Sequence, residues 1–171
     1  MTLLCRELKE CFDGLNEDQD CRAIVLSGAG KIFTAGLDLK DAMKLAQEMG
    51  EIEDVGRRGY LLNKKIKTYQ DSISSLERCL KPVIVAVHSA CVGAGVNLIT
   101  AADIRYCTED AWFTVKEVDI GLAADVGALQ RLPKVVGNAS LARELCFTGR
   151  KFDSKEALSF GLVSRVGLSF R

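Results

Sequence analysis

Apolar residues recur at helical spacing in two stretches of the chain. The first stretch is the N-terminal segment, whose apolar residues fall on one face of a helix. That face contains Leu4, Leu8, Cys11, Phe12 and Leu15. The second stretch runs from Arg57 to Arg78 and predicts a long helix with a period close to 3.6 residues. Its apolar face contains Leu62, Ile66, Tyr69, Ile73 and Leu76.

Between these stretches and after them, short continuous apolar runs predict strands. The runs "CRAIVLSG" and "KPVIVAVH" are typical of buried strands, and "DIRYC" and "WFTV" predict shorter ones. Further helices are predicted in "DLKDAMKLAQEM", in "DVGALQRLP", in "NASLARELCFTG" and, after "KPVIVAVH", in a short segment ending at Ala102. Strands that alternate with helices predict an α/β layered fold.

Several residues predict where individual helices begin and end. Asp38 is suited to be the N-cap of "DLKDAMKLAQEM". Asp153 and Glu156 predict a capping box at the start of "SKEALSF", and Gly161 ends that helix. Gly149 ends "NASLARELCFTG".

Composition limits the possible partners. A chain of 171 residues fits one domain, here residues 1–171, with 48% hydrophobic and 27% charged residues. Lys and Arg together number 23, as do Asp and Glu, so no excess of positive charge indicates nucleic acid or an anionic membrane. The apolar runs are shorter than the roughly 18 residues of a membrane span, and the N-terminus lacks the layout of a signal peptide.

The cysteine and histidine content argues against a metal site. Seven cysteines are scattered singly, without a C-x-x-C pair, and the chain has one histidine, His88. Apolar neighbours predict reduced, buried thiols in a reducing compartment. His88 follows a predicted buried strand without an evident nucleophile beside it, which favours a core or capping role over that of a catalytic base.

Two glycine-containing segments lack the pattern of a nucleotide-binding loop. "GAGVNL" contains G-x-G but lacks the third glycine and the later acidic residue of a dinucleotide site. "SGAGK" lacks the Ser or Thr after its lysine and the spacing of a phosphate-binding P-loop.

The chain instead contains two strand-to-helix turns of the same kind. Ala35 and Gly36 in "SGAGKIFTAGLDL" precede one predicted helix, and the small residues of "CVGAGVNLITAADIRYC" precede another. An unhindered backbone N–H from each turn could bind one carbonyl oxygen, which is the arrangement of an oxyanion hole. The residues alone leave two ordinary tight turns as an equal alternative.

Three segments carry a resemblance to a known family. "GKIFTAGLDL", "KPVIVAVHSACVGAGVNLITAADIRYC" and "VKEVDIGLAADVGALQRLPKVVGN" are similar to motifs of the crotonase (enoyl-CoA hydratase/isomerase) superfamily. The segment "FTVKEVDIGLAADVGALQRLPKVVGN" resembles the Δ3,5-Δ2,4-dienoyl-CoA isomerases within it. The resemblance implies a ββα spiral core and a coenzyme A thioester as substrate. It also implies a trimer or a pair of trimers, and no cofactor apart from the coenzyme A of the substrate.

The same resemblance implies roles for particular residues. The oxyanion N–H groups would be those of Ala35 and Ala94. Asp125 would be the base that removes a proton from C2, and Glu117 the acid near C6. Asn97 stands where these isomerases have a third carboxylate, and this departure disfavours a hydratase, which needs a glutamate there. Asp119 is expected to be structural.

The remaining expectations concern extent, location and alternatives. The chain resembles a family member truncated at both ends, which makes a catalytically weak acyl-CoA-binding or assembly subunit the alternative function. The family address is peroxisomal or mitochondrial, although no such signal is legible in the chain. Basic residues from Lys31 to Lys44 are candidates for the coenzyme A phosphates, but exposed lysines are more often solvated surface.

Overall fold

The computed structural model describes residues 2–167, so the final residues 168–171, at which the truncated form was expected to stop, lie outside the described residues. The helices are α1 (Thr2–Glu17), α2 (Leu39–Gly50), α3 (Val55–Arg78), α4 (Ala94–Ile99), α5 (Ala128–Val135), α6 (Ala139–Thr148) and α7 (Ser154–Ser159). The strands are β1 (Ile24–Ser27), β2 (Val83–Val87), β3 (Ala90–Val92), β4 (Ile104–Thr108), β5 (Trp112–Thr114), β6 (Phe152–Asp153) and β7 (Arg165–Gly167). A 3-10 helix spans Glu117–Ile120.

The larger sheet has the strand order β1-β2-β4-β7, and all of its pairs are parallel. Val83, Val85 and Val87 on β2 are completely buried, as expected for an interior strand of a parallel sheet. The predicted α/β fold is confirmed. Because β2 continues directly through β3 to Gly93, its burial anchors the second small-residue turn.

A smaller sheet has the order β3-β5-β6, with β3 and β5 parallel and β6 antiparallel to β5. Thr34 forms an isolated parallel bridge with Cys91 of β3. The segment that leads to α2 is therefore bonded to the strand that leads to α4. This pairing brings together two turns that lie far apart in the sequence.

The apolar faces of α1 and α3 are only partly as predicted. Phe12 is buried, but Leu4 and Cys11 are exposed, while Cys5 is buried. Helix α1 packs on α3, where Ser72 Oγ donates to the Cys5 carbonyl oxygen at 2.6 Å, so the side of α1 that carries Cys5 faces α3.

The two halves of α3 differ in burial. In its C-terminal half Tyr69, Ile73 and Leu76 are buried, whereas Leu62 in the N-terminal half is exposed. The predicted apolar face of α3 therefore contacts the core over its second half only.

Predicted helix boundaries are correct where side chains cap the helix. Asp38 accepts hydrogen bonds from the N–H groups of Lys40 and Asp41, and the Asp153–Glu156 capping box is present. Two other boundaries are wrong. Helix α4 ends at Ile99 instead of Ala102, and α5 begins at Ala128 instead of Asp125.

The seven cysteines are free thiols, but the prediction that they are buried is only partly correct. Cys5, Cys91 and Cys107 are buried, Cys11 is exposed, and the others are half-buried. Burial raises the pKa of Cys107 to about 11, so this thiol is unreactive at neutral pH.

The His88 side chain contacts the loop that follows β1, since its Nε2 lies 3.1 Å from the Gly30 carbonyl oxygen. Among the described residues, no helix combines the length and the apolar character needed to cross a membrane.

Candidate active site

The first turn is held against β3 by backbone hydrogen bonds. Thr34 N–H donates to the Ala90 carbonyl at 3.0 Å, and Val92 N–H donates to the Thr34 carbonyl at 3.2 Å. Gly36 has a φ of +91°, and a Cβ there would lie 2.8 Å from the Val92 carbonyl oxygen. Only glycine suits this conformation and this close approach. Ala35, between Thr34 and Gly36, is exposed.

The second turn joins β3 to α4 and is buried. Gly93 has a φ of 52° and donates its N–H to the Thr114 carbonyl at 2.8 Å. A Cβ at Gly95 would lie only 2.3 Å from Cγ2 of Thr34, so the absence of a side chain lets the first turn pack directly on the second. Ala94 is the first residue of α4 and is half-buried.

The N–H groups of Ala35 and Ala94 remain available at these adjacent turns. Hydrogen bonds of the described turns use the N–H groups of Thr34, Gly36 and Gly93, but not those of Ala35 and Ala94. Two unused donors on neighbouring turns are the components that an oxyanion hole requires.

Asn97 is completely buried and joins three elements through its side chain. Its Nδ2 donates to the Gly93 carbonyl at 3.1 Å and to Oε1 of Glu117 at 2.7 Å. Its Oδ1 accepts from the Ala128 N–H at 2.5 Å. The residue that departs from the isomerase pattern is therefore a fully used amide that ties α4 to the 3-10 helix and to α5.

Glu117 begins the 3-10 helix, and its carboxyl group lies against the second turn. Both carboxyl oxygens are within 3.8 Å of the point where a Cβ at Gly93 would stand. Oε2 is buried and has no hydrogen-bond partner among the described residues. Burial raises the pKa of Glu117, the amide of Asn97 opposes this shift, and the negative charge of Asp125 adds to it.

Asp125 lies in the loop before α5 and is half-buried. Gln70 of α3 donates from Nε2 to the Asp125 backbone carbonyl at 2.8 Å, which holds this loop against α3. Its charge acts on Glu117, so the two acids named by the resemblance share one region of the molecule. No sequence pattern singles out Gln70, because it is one polar residue beside the apolar face of α3.

A second side chain that sequence reasoning missed is the buried Arg131 of α5. Its guanidinium donates to Glu77 at 3.0 and 2.6 Å and to Ser74 at 2.8 Å, which fastens α5 to α3. A Cβ at Gly127 would lie 2.9 Å from Nη1 of Arg131 and 3.0 Å from the Asn97 carbonyl oxygen. Glycine at this position therefore lets α5 approach Asn97.

The remaining candidate residues are exposed, although Asp119 shares the 3-10 helix of Glu117. Asp119 is exposed and forms an ion pair with Lys116. Lys31 is exposed, and Lys44 is 3.9 Å from Glu48 across an exposed helix face. A cavity of about 310 Å³ between α5 and α6 is lined mainly by apolar atoms, and neither Glu117 nor Asp125 lines it.

The parallel α/β core carries two adjoining small-residue turns, and the carboxyl group of Glu117 lies against the second of them. Residues 2–167 match the family model described as Enoyl-CoA hydratase/isomerase. The chain belongs to this family.

The similarity extends to named relatives and to solved structures. The chain is 59% identical over 162 residues to the human mitochondrial Δ(3,5)-Δ(2,4)-dienoyl-CoA isomerase, covering 94% of the chain and 49% of the relative. It is 48% identical to the peroxisomal isomerase of that name from Arabidopsis thaliana, covering 94% of the chain and 57% of the relative. A crystal structure of a putative enoyl-CoA hydratase/isomerase from Mycobacterium abscessus superimposes with a TM-score of 0.84 at 32% identity, covering 96% and 60%. The chain therefore spans about half the length of the curated relatives it matches.

Proposed function

We propose that the chain carries the catalytic core of an isomerase that converts 3,5-dienoyl-CoA into 2,4-dienoyl-CoA in fatty-acid β-oxidation. The observation that carries the proposal is the half-buried Glu117 carboxyl against the second turn, with the charge of Asp125 acting on it. Relatives named as dienoyl-CoA isomerases support the choice of reaction.

In the proposed reaction, the carboxylate of Asp125 takes a proton from C2. The C–H electron pair moves into the conjugated system, and negative charge develops on the thioester oxygen. The N–H groups of Ala35 and Ala94 stabilise that oxygen, and each such donor is worth about 3 kcal/mol in the barrier. The carboxylic acid of Glu117 then donates a proton to C6, and the electron pair returns to form the 2,4-diene.

The turnover is completed when the proton that Asp125 has gained is released and Glu117 is reprotonated. This assignment requires Glu117 to hold a proton before the reaction, which agrees with the direction in which burial moves its pKa. Coenzyme A enters as part of the substrate, and no separate cofactor takes part.

The test is the absorbance of the conjugated product formed from a 3,5-dienoyl-CoA. Asp125→Asn should reduce turnover by about 10²- to 10⁴-fold, because the amide cannot accept the C2 proton. Asp119→Asn, the same substitution at an exposed acid of the neighbouring 3-10 helix, is the matched control and should retain the rate. Equal rates for the wild type and Asp125→Asn would exclude Asp125 as the base.

The second candidate is a catalytically weak acyl-CoA-binding or assembly subunit. It is favoured by the use of Asn97 as a hydrogen-bonded amide at the position of a third carboxylate. Calorimetric titration with an acyl-CoA, together with sedimentation, tests it. Absence of both binding and assembly would exclude this role.

A hydratase is less well supported. With Asn97 committed to three hydrogen bonds, the chain offers no second glutamate to activate water there. A trimer or a pair of trimers is proposed as the assembly. A mitochondrial or peroxisomal location is proposed from the names of the relatives.

A further inference from the structure

The orientation of the Asn97 amide follows from its partners. The Ala128 N–H is a donor, so the atom facing it must be the amide oxygen. The Gly93 carbonyl is an acceptor, so the atom facing it must be the amide nitrogen. Each neighbour alone dictates the same orientation. A flipped amide would place its oxygen against the Gly93 carbonyl oxygen and its nitrogen against the Ala128 N–H, so that acceptor would face acceptor and donor would face donor.

This orientation makes the two oxygens of Glu117 unequal. The amide nitrogen of Asn97 also faces Oε1 of Glu117 at 2.7 Å, so Oε1 must act as an acceptor. Oε2 is buried and has no partner within residues 2–167. A proton on Oε1 would oppose the N–H of Asn97, whereas a proton on Oε2 meets no donor.

We propose that Asn97 is a positioning residue, which binds Oε1 of Glu117 and leaves Oε2 as the oxygen that carries and delivers the proton. The proposal deepens the isomerase function proposed above and rests on it for the destination of the proton. In the transfer, the O–H bond at Oε2 breaks, its electron pair stays on the carboxylate, and the proton forms the new C–H bond at C6. The hydrogen bond from Asn97 to Oε1 persists throughout.

The other groups that face Glu117 are few. Asp125 adds negative charge from the loop before α5, and the thiol of Cys146 approaches from α6. The backbone N–H groups of Glu117 and Lys116 also act on this carboxyl group and lower its pKa. On the same segment as Glu117, Lys116 and Asp119 form an ion pair with each other at the surface. Asn97 is thus the side chain that donates a hydrogen bond to this carboxyl group among the described residues.

Asn97→Asp tests the proposal because it changes one function of the side chain. One carboxylate oxygen can still accept from the Ala128 N–H, but the other replaces a donor and faces the Gly93 carbonyl and Oε1 of Glu117. Two adjacent carboxyl groups then share a proton, which raises the pKa of the pair. We expect the titration midpoint of Glu117, followed by NMR of 13C-labelled glutamate without substrate, to rise by about one pH unit or more.

The matched control is Asn138→Asp. The side chain of Asn138 also accepts a hydrogen bond from a backbone N–H at the start of a helix, that of Leu141. It is exposed, however, and makes this bond with α6 instead of with Glu117. This variant should leave the Glu117 midpoint unchanged. An unchanged midpoint in Asn97→Asp as well would overturn the proposal.

A measurement on the wild type covers the case in which Asn97→Asp does not fold. The side-chain N–H resonances of Asn97 should shift with pH at the midpoint of Glu117, and this shift should disappear in Glu117→Gln. Resonances that do not respond to Glu117 would contradict the proposal.

Turnover separates the two proposals. For an enzyme in which Glu117 is the acid, activity falls as pH rises through its pKa, so Asn97→Asp should move this alkaline limb upward. If the midpoint of Glu117 moves but neither protein converts 3,5-dienoyl-CoA, then Asn97 positions Glu117 and the proposed reaction is wrong.

Discussion

The two small-residue turns resemble each other in sequence but are built differently. The second turn follows a completely buried strand, and Gly93, Gly95 and Asn97 within it are all buried. The first turn is bonded to β3 through Thr34, but Ala35 is exposed, and α2, which follows, has no buried residue. One half of the proposed oxyanion hole therefore belongs to the core, while the other half is attached to the core through a few contacts.

The contact between the turns can be broken from the buried side. Gly95→Ala would place a Cβ 2.3 Å from Cγ2 of Thr34 and 3.0 Å from Sγ of Cys91. Both neighbours belong to the packed interior or its edge, so we expect a loss of about 3 kcal/mol in the free energy of unfolding and a large loss of turnover. Denaturant unfolding monitored by circular dichroism measures the first effect.

Two variants establish that the cause is this contact. Gly59→Ala, in a helix where a Cβ meets nothing within 4 Å, should be neutral or stabilising by up to about 1 kcal/mol. Thr34→Ser removes Cγ2 but keeps the hydroxyl that accepts from the Gly36 N–H, so it should partly rescue Gly95→Ala. Absence of any rescue would show that the turns are not coupled through Thr34.

The packing of the first turn on β3 can be disturbed from the exposed side, at the contact between Gly36 and Val92. Gly36→Ala combines a φ of +91° with a Cβ 2.8 Å from the Val92 carbonyl oxygen. Because the exposed turn can move away, we expect a stability loss of about 2 kcal/mol or less, while turnover falls further, since the Ala35 N–H moves with the turn.

Gly30→Ala is the control for backbone strain alone. Gly30 has a φ of +85°, and a Cβ there meets nothing within 4 Å. The unfolding free energy and the turnover of both variants should be compared. If Gly30→Ala reduces turnover as much as Gly36→Ala, the effect does not come from the contact with Val92.

The two turns also show how far sequence reasoning reaches. Both were located from small residues after apolar runs, and the helix after the first was placed by the capping residue Asp38, because caps and strands depend on neighbours in sequence. Their contact through Thr34 and Gly95 was not predictable, since it depends on the register of β3.

The candidate site was predicted less completely than the fold. On composition and spacing alone, Glu117 and Asp125 are more typical of surface charges than of catalytic acids, and the resemblance to a family selected them. The start of α5 was predicted three residues too early, because Gly127, just before the helix, has a φ of 171° that the sequence pattern does not indicate. The three bonds of Asn97 likewise join residues that only the folded chain brings together.

The smallest expected effect is a pH dependence of stability that involves only the second turn, because the carboxyl group of Glu117 lies against that turn. In the unfolded chain the Glu117 carboxyl group has the ordinary pKa of Glu, about 4.3. In the folded protein, burial raises this pKa. As pH rises above the unfolded value, the unfolded state loses its proton first, so the contribution of Glu117 to stability falls until the folded pKa is passed. Glu117→Gln removes this dependence and keeps an acceptor oxygen for Asn97.

We therefore expect the melting temperature of Glu117→Gln minus that of the wild type to increase from pH 4 to pH 8. This increase should be smaller than the stability changes caused by Gly95→Ala or Gly36→Ala. Thermal melts at several pH values measure the difference. Glu53→Gln, at an exposed glutamate before α3, should give a constant difference over the same range. A melting temperature of Glu117→Gln that decreases relative to the wild type as pH rises would mean that the folded protein favours the ionised carboxylate. The second turn would then stabilise negative charge on Glu117, and Glu117 could not be the acid in the proposed reaction.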